Sequence, residues 1–594
     1  MSDRPDIVIL MTDEERAVPP YETPDVLAWR NRTLLGRKWF DDHGVSFGRH
    51  YTGSLACVPS RPTIFTGQYP DLHGVTQTDG IGKTADDSRM RWLRPGEVPT
   101  LGNWFRAAGY DTHYDGKWHI SHADLIDPKT GRSLATNDDD GVVDRRAVQR
   151  YLDADPLGPY GFSGWVGPEP HGALLGNAGI RRDPLIADRV VDWLSDRYAR
   201  RRAGDPAALR PFLLVASFVN PHDIVLFPLW SRRSPVKPSP LDPPPIPPAP
   251  TADEDLSTKP AAQIAFREAY YSGYGPASMI GRTYQRGAQR YRDLYYRLHA
   301  EVDGPIDRVR RAVTENGSHD AVLVRTADHG DLLGAHGGLH QKWFNLYDEA
   351  TRVPFVIARI GAHATQPRIV TAPTSHVDLV PTLLGAAGVD VAHVAATLAE
   401  SFSEVHHLPG RDLMPVVDGG PADETRAVYL MTRDNMLEGD SGASGLARRL
   451  KQTVNPPAPL RIRVPAHTAS NFEGLVVRVD EAGGAGHLWK LVRTFDDPGT
   501  WTEPGVRHLA ANGIGGEAYR TSPLDDQWEL YDLSADPIEA RNRWADPELH
   551  DLRQQLRMQL KQARATSVPE RNRPWPYVTR RAGFADPVSL SRFR

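Results

Sequence analysis

The residues best suited to chemistry in this chain fall in six short stretches. The first is Cys57-Val58-Pro59-Ser60-Arg61-Pro62-Thr63-Ile64-Phe65-Thr66-Gly67, which holds the only cysteine among 594 residues. A lone cysteine makes no internal disulfide, so it is either a small packing residue or a chemical one. Its setting points to chemistry. Pro59 stiffens a turn, and Thr63-Ile64-Phe65 can open a helix. A side chain just ahead of a helix start faces unpaired backbone N–H groups, which favour an anion. Arg61 adds a fixed positive charge. Such a place would hold a tetrahedral oxyanion.

Two stretches suit a cation. The apolar run Ile7–Met11 has the length of a strand buried on both faces and ends in Thr12-Asp13-Glu14-Glu15. Carboxylates crowded at a strand's carboxyl end repel one another unless a cation intervenes; a solvated acidic turn is the ordinary alternative. Glu15 is expected to be solvated. A second strand, Asp320–Ala327, ends in Asp328-His329-Gly330-Asp331, an acid and an imidazole side by side in the manner of metal ligands. The other three stretches carry bases and ammonium groups: Gly116-Lys117-Trp118-His119, Asn220-Pro221-His222 and His340-Gln341-Lys342-Trp343. His113 and His122 are read as structural.

These groups need elements to position them. Thr23-Pro24 reads as an N-cap with a first-turn proline, opening a helix to about Asp42 that stops at Gly44. Val45–Tyr51 is a predicted strand that delivers the Cys57 turn. Val98–Ala108, 183–202 and 285–317 read as helices, and Tyr110–Gly116, Pro211–Phe218 and Val353–Ala358 as strands. Ser375–Leu384 is a predicted helix. Between Pro228 and Pro260 the proline content forbids helix or central strand, so a long irregular excursion is expected, with a role in shaping the substrate pocket. After residue 424 the pattern changes to short strands near 428–431, 474–479, 488–494 and 527–533, and then to an amphipathic helix at 549–565. The expected architecture is therefore an α/β catalytic domain over 1–424 with a proline-rich insertion at 228–260, and a small α+β subdomain over 425–594. The Arg- and Pro-rich tail from Thr566 carries Trp575, Tyr577 and Phe584, and is expected to pack on another subunit as a homo-oligomer contact.

Composition limits the functional classes. The formal charge of −5 is small for this length and gives no reason to expect nucleic acid or an acidic membrane as partner. No apolar run approaches the roughly 20 residues needed to span a bilayer. The start does not read as a signal peptide, and one cysteine suits a reducing compartment, so a cytoplasmic location is expected.

The ordered pattern Cys57-x-Pro59-Ser60-Arg61, with Thr66-Gly67-Gln68-Tyr69-Pro70-Asp71-Leu72-His73-Gly74-Val75 after it, resembles the signature of the type I, formylglycine-dependent sulfatases of the alkaline phosphatase-like superfamily. Gly-Lys-x-His, Asn-Pro-His, Asp-His-Gly-Asp and Lys342 with the downstream Tyr347-Asp348-Glu349…Arg352-Val353-Pro354 resemble its other landmarks, as does Glu529-Leu530-Tyr531-Asp532-Leu533 in the C-terminal part. The resemblance runs from Asp6 to about Ala565. It implies a central, mostly parallel sheet sandwiched by helices. It implies that a formylglycine-generating enzyme oxidises Cys57 and that the hydrated aldehyde is the nucleophile. Asp13, Glu14, Asp328 and His329, with the side chain at 57, would hold a divalent cation; calcium is expected, with manganese as the alternative. Glu14 departs from the family's Asp or Gln. Arg61 would polarise the nucleophile, Lys117 and Lys342 would bind sulfate oxygens, His222 would lie against the leaving group, and His119 would take a proton from the hydrate. His340 rivals Lys342 for its place, and Arg352 would pair with acids beneath the site. The implied activity is hydrolysis of a small-molecule sulfate ester. A phosphonate monoester or phosphodiester hydrolase with the same apparatus, or a metal-binding homologue without catalysis, is the alternative.

Overall fold

The computed structural model describes residues 4–79, 85, 90–170, 175–231, 234–272, 277–317, 320–433, 468–479, 486–501, 503, 505–513 and 516–573. Its centre is β1 (Asp6–Asp13), every residue of which is buried. The sheet around it also contains β2 (Val45–Phe47), β3 (Asp111–Gly116), β4 (Phe212–Pro221), β5 (Ala321–Ala327), β6 (Phe355–Ile360) and β7 (Arg368–Val370), in the spatial order β7-β2-β6-β5-β1-β4-β3. Strands β3, β4, β1 and β5 run parallel, with Ile7 opposite both Leu213 and Val322. Strand β6 runs antiparallel to its neighbours β5 and β2.

The continuous apolar run of β1 is explained by its two covered faces. Ile7, Ile9 and Met11 point into one core with Ile64, Phe65, Leu379 and Leu383. Val8 and Leu10 point into the other, with Ile186, Val190, Val302 and Ile306. The first face is covered by α1 (Cys57–Thr66) and α4 (Leu379–Ala386), the second by α2 (Gly179–Arg202) and α3 (Ala288–Asn316). A strand inside such a sandwich has no solvent face, so alternation disappears from its sequence.

A second sheet is antiparallel: β8 (Val428–Thr432), β9 (Asn471–Val479), β10 (His487–Phe495) and β11 (Gln527–Asp532), with α5 (His550–Ser567) packed on it through Leu556 and Leu560. A hairpin at 508–513 and 516–520, which the sequence reading did not anticipate, extends this part. The stretch 432–473, where sequence alone also places a specificity loop, falls mostly outside the described residues, and the aromatic tail falls outside them from residue 574 onward.

Three predicted elements differ in the structure. The helix expected from Thr23 is two, Pro24–Thr33 and Leu35–His43, broken at Leu34. Asp303 of α3 accepts the backbone N–H groups of Gly36 (2.8 Å) and Arg37 (3.1 Å), capping the second helix from outside. The strand expected over 45–51 leaves the sheet after Phe47, and His50–Tyr51 pairs with Thr374–Ser375 instead. The helix expected over 375–384 opens as a 3-10 turn at His376–Asp378 before α4.

The 228–260 excursion is irregular after a turn of helix at Phe227–Trp230, as expected, but it is anchored by buried polar groups. His336 is fully buried; its Nδ1 lies 3.1 Å from Glu254 and its Nε2 3.3 Å from Glu349. Burial opposes its charge, but Glu349 and Glu254 overcome burial and raise its pKa to about 9. Because the folded value exceeds the unfolded one, the stabilisation is complete below the ordinary imidazole pKa and is lost as pH rises through about 9. The expected loss is roughly 3 kcal/mol. Denaturant titrations across this range will show it, and in His336→Gln this part of the pH dependence disappears.

Candidate active site

Parallel strands place their carboxyl ends on one edge of the sheet. There Asp13 closes β1, Lys117 follows β3, His222 follows β4, and Asp328 and His329 follow β5. Cys57 is the first residue of α1, delivered by Ala56 at a positive φ (64°). The amino end of α1 is thereby aimed at the carboxylates. Ser60 Oγ donates to the Asp328 carbonyl at 2.6 Å and pins the first turn.

Arg61 organises the centre. Its Nη2 donates to Asp13 (2.9 Å), its Nε to Asp328 (2.9 Å), and its Nη1 to the Lys117 carbonyl (2.5 Å) and Ser217 Oγ (3.0 Å). Lys117 Nζ lies 2.8 Å from the same Asp13 carboxylate, and Lys342 Nζ 3.1 Å from Glu14 Oε2. Cys57 Sγ lies 3.1 Å from His329 Nε2 and 3.6 Å from Asp13 Oδ1, with Lys117 Nζ at 3.9 Å. All of these side chains are buried. His222 presents a ring nitrogen within 4.8 Å of carboxylate oxygens of Asp13 and Glu14.

The electrostatics follow from crowding. Burial penalises the Asp13 charge, but Lys117, His222 and Arg61 hold its carboxyl well below the usual range. Burial and the neighbouring Asp13 push Asp328 up to about 7. Burial, then the nearby carboxylates, pushes the Cys57 thiol up, so the unmodified side chain is a neutral thiol and a poor nucleophile. Burial and the Lys342 charge hold His329 well below the ordinary imidazole value. Its Nδ1 faces the Gly330 carbonyl at 2.9 Å. A carbonyl only accepts, so the proton sits on Nδ1 and the Nε2 lone pair points at the centre.

This donor set fits a divalent cation. Asp13, Cys57, Asp328 and His329 bring ligand atoms within 4.8 Å of one another, and Asp13, Glu14 and His222 do the same. Glu14 Oε1 is buried and accepts no hydrogen bond among the described residues. Burial raises the Glu14 pKa, which Lys342 opposes and Asp331 reinforces. A carboxylate oxygen left without a donor beside a second acid is the situation a cation relieves.

Of the residues singled out for the site, Asp13, Glu14, Cys57, Arg61, Lys117, His222, Asp328, His329 and Lys342 meet at this centre, and His119 lies near enough to Lys117 and Arg61 for their charges to act on its ring. His340 stacks on Tyr284 (ring centroids 4.1 Å) with Tyr291 edge-on, and burial lowers its pKa to about 3. It packs as a neutral aromatic residue. His119, buried and left-handed (φ 53°), has its ring Nε2 2.6 Å from Asp79 Oδ1. Glu169 accepts the backbone N–H groups of Trp118 (3.0 Å) and His119 (2.9 Å). Sequence reading missed both Asp79 and Glu169, because nothing in their local pattern points to a histidine 40 or 50 residues away. Glu15 corrects an expectation. It is buried rather than solvated, and pairs with Arg37 (2.7 Å) and Arg325. Arg352 pairs with Asp348 at 3.0 Å, and His113 stacks on Trp193.

Comparison with known proteins adds an independent line. A family model described as Sulfatase matches residues 5–389. An uncharacterized sulfatase, YidJ of Escherichia coli, is 27% identical over 67% of this chain and 68% of its own length. A choline-sulfatase of Rhizobium meliloti is 24% identical over 66% of this chain and 69% of its own. Among solved structures, a 2-O GAG sulfatase aligns with a TM-score of 0.58 at 20% identity, covering 95% of this chain and 93% of its own. The phosphonate monoester hydrolase of Agrobacterium radiobacter aligns with a TM-score of 0.54 at 19% identity, covering 95% and 96%. At these identities the structural likeness is one of fold.

Proposed function

This chain belongs to the sulfatase family and is a sulfuric ester hydrolase, and we propose that it works through a formylglycine made from Cys57 and a divalent cation held by Asp13, Glu14, Asp328 and His329. The observation that carries the reading is the meeting of Cys57 with Asp13, Asp328 and His329 at the amino end of a helix, flanked by Lys117 and Lys342. A neutral, buried thiol is ill suited to attack sulfur, whereas a hydrated aldehyde at position 57 would supply one hydroxyl to attack and a second from which to expel sulfate. The cation, when bound, would lower the pKa of the attacking hydroxyl. Calcium suits the excess of carboxylate oxygens, and His329 makes manganese the rival.

The chain's own residues divide the remaining work. Arg61 holds Asp13 and Asp328 in register with the helix that carries residue 57. Lys117 and Lys342, both close enough to residue 57 to act on its charge, neutralise the sulfate oxygens as charge builds on them. His222 gives a proton to the departing oxygen, and His119 takes one from residue 57. Burial of all these groups strengthens each interaction by excluding water.

The test is a panel of aryl sulfate, phosphonate and phosphate esters with the converted protein. Sulfate turnover should dominate, be lost on chelation and return with calcium. The peptide holding Cys57 should show sulfur replaced by oxygen with loss of two hydrogens. Preferred turnover of the phosphonate monoester would replace this reading of the substrate; an unconverted Cys57 in active protein would end the reading of the nucleophile.

A further inference from the structure

His119 is held at both ends. Glu169 grips its backbone in a left-handed conformation, and Asp79, itself about nine-tenths buried, meets its ring Nε2 at 2.6 Å. An ionised carboxylate only accepts, so it fixes the Nε2–H tautomer and makes Nδ1 the basic atom. A carboxylate behind an imidazole also stabilises the positive charge that the ring acquires when it takes a proton. We propose that Asp79 is the positioning residue for His119 in sulfate release, an inference that rests on the reading of residue 57 as formylglycine. In that step His119 takes the proton of the second hydroxyl on residue 57. The O–H electron pair forms the carbon–oxygen double bond, the bond from that carbon to the sulfate oxygen breaks, and sulfate leaves with its electron pair. The proton on His119 then passes to water. Asp79 touches none of the reacting atoms in this scheme; it sets which ring nitrogen is basic.

The experiment has two arms. In the first, 15N-histidine NMR of the wild-type protein should show His119 protonated at Nε2 and unprotonated at Nδ1. Asp79→Asn, whose amide can donate to Nε2, should move the proton to Nδ1. This arm is read whether or not residue 57 is converted, so it stands apart from the formylglycine reading. A wild-type His119 protonated at Nδ1 overturns the proposal without any variant. In the second arm, Asp79→Asn is mixed with a radiolabelled aryl sulfate. The first equivalent of phenol should appear at close to the wild-type rate. Later turnovers should slow by about 10²–10⁴-fold, with label retained on the peptide holding residue 57. Equal slowing of both phases without retained label, or an undiminished steady rate, overturns the proposal. Absence of turnover and of conversion in the wild type instead defeats the parent reading.

Discussion

Cys57→Ala should abolish sulfate-ester turnover, by about 10⁴-fold or more, while leaving a folded protein. The side chain is small and buried, and alanine removes one sulfur atom from a site walled by Asp13, His329 and Lys117, so the structural loss is modest. The chemical loss is complete, because the proposed nucleophile itself is removed. Cys57→Ser refines the test. Serine supplies one hydroxyl and lacks the second, so it should release at most one equivalent of alcohol and then stop. Initial rates, burst amplitudes and thermal melting of the two variants check this; steady turnover by either one removes residue 57 from the role of nucleophile.

Asp13→Asn should have the second largest effect, and on two observables. The carboxylate accepts Arg61, sits 2.8 Å from Lys117 and provides an oxygen to both candidate ligand groups. Removing its charge leaves two buried cations facing a weaker partner. That should destabilise the fold by roughly 3 kcal/mol or more. It should also lower activity by about 10²-fold or more, because a ligand and the anchor of two catalytic side chains are lost together. Denaturant unfolding and metal content, measured alongside kcat, separate the two effects. A variant that keeps wild-type metal content and activity removes Asp13 from the centre.

Much of the site was legible in the sequence because each chemical group lies just past a strand whose own signal is strong. The runs ending at Met11 and Val324 are apolar throughout, and a parallel strand buried on both faces must deliver the residues at its carboxyl end to one edge of the sheet. Asp13, Asp328 and His329 were therefore singled out by local pattern, and Lys117 and His222 by the resemblance of their strand-end motifs to the family's. Glu15 was misjudged for the complementary reason. Its neighbours in sequence are acidic, and the arginines that neutralise it come from residues 37 and 325. His340 lay two positions from Lys342 in sequence, yet a loop need not aim both side chains the same way, and the tyrosines of distant helices claimed its ring.

The amino-acid sequence by itself determined the fold class and the order of the strands' chemical ends, through periodicity and through ordered motifs that resemble a known family, and it singled out Cys57 as the candidate nucleophile position. Only the tertiary structure decided which cation meets which carboxylate, that Arg61 ties Asp13 to Asp328, that Asp303 caps the second of the two helices found where one was predicted, and that Asp79 and Glu169 hold His119. The physical reason is common to all four. A buried charge or backbone N–H must find a partner, and the partner is chosen by distance in space across segments that share no local pattern.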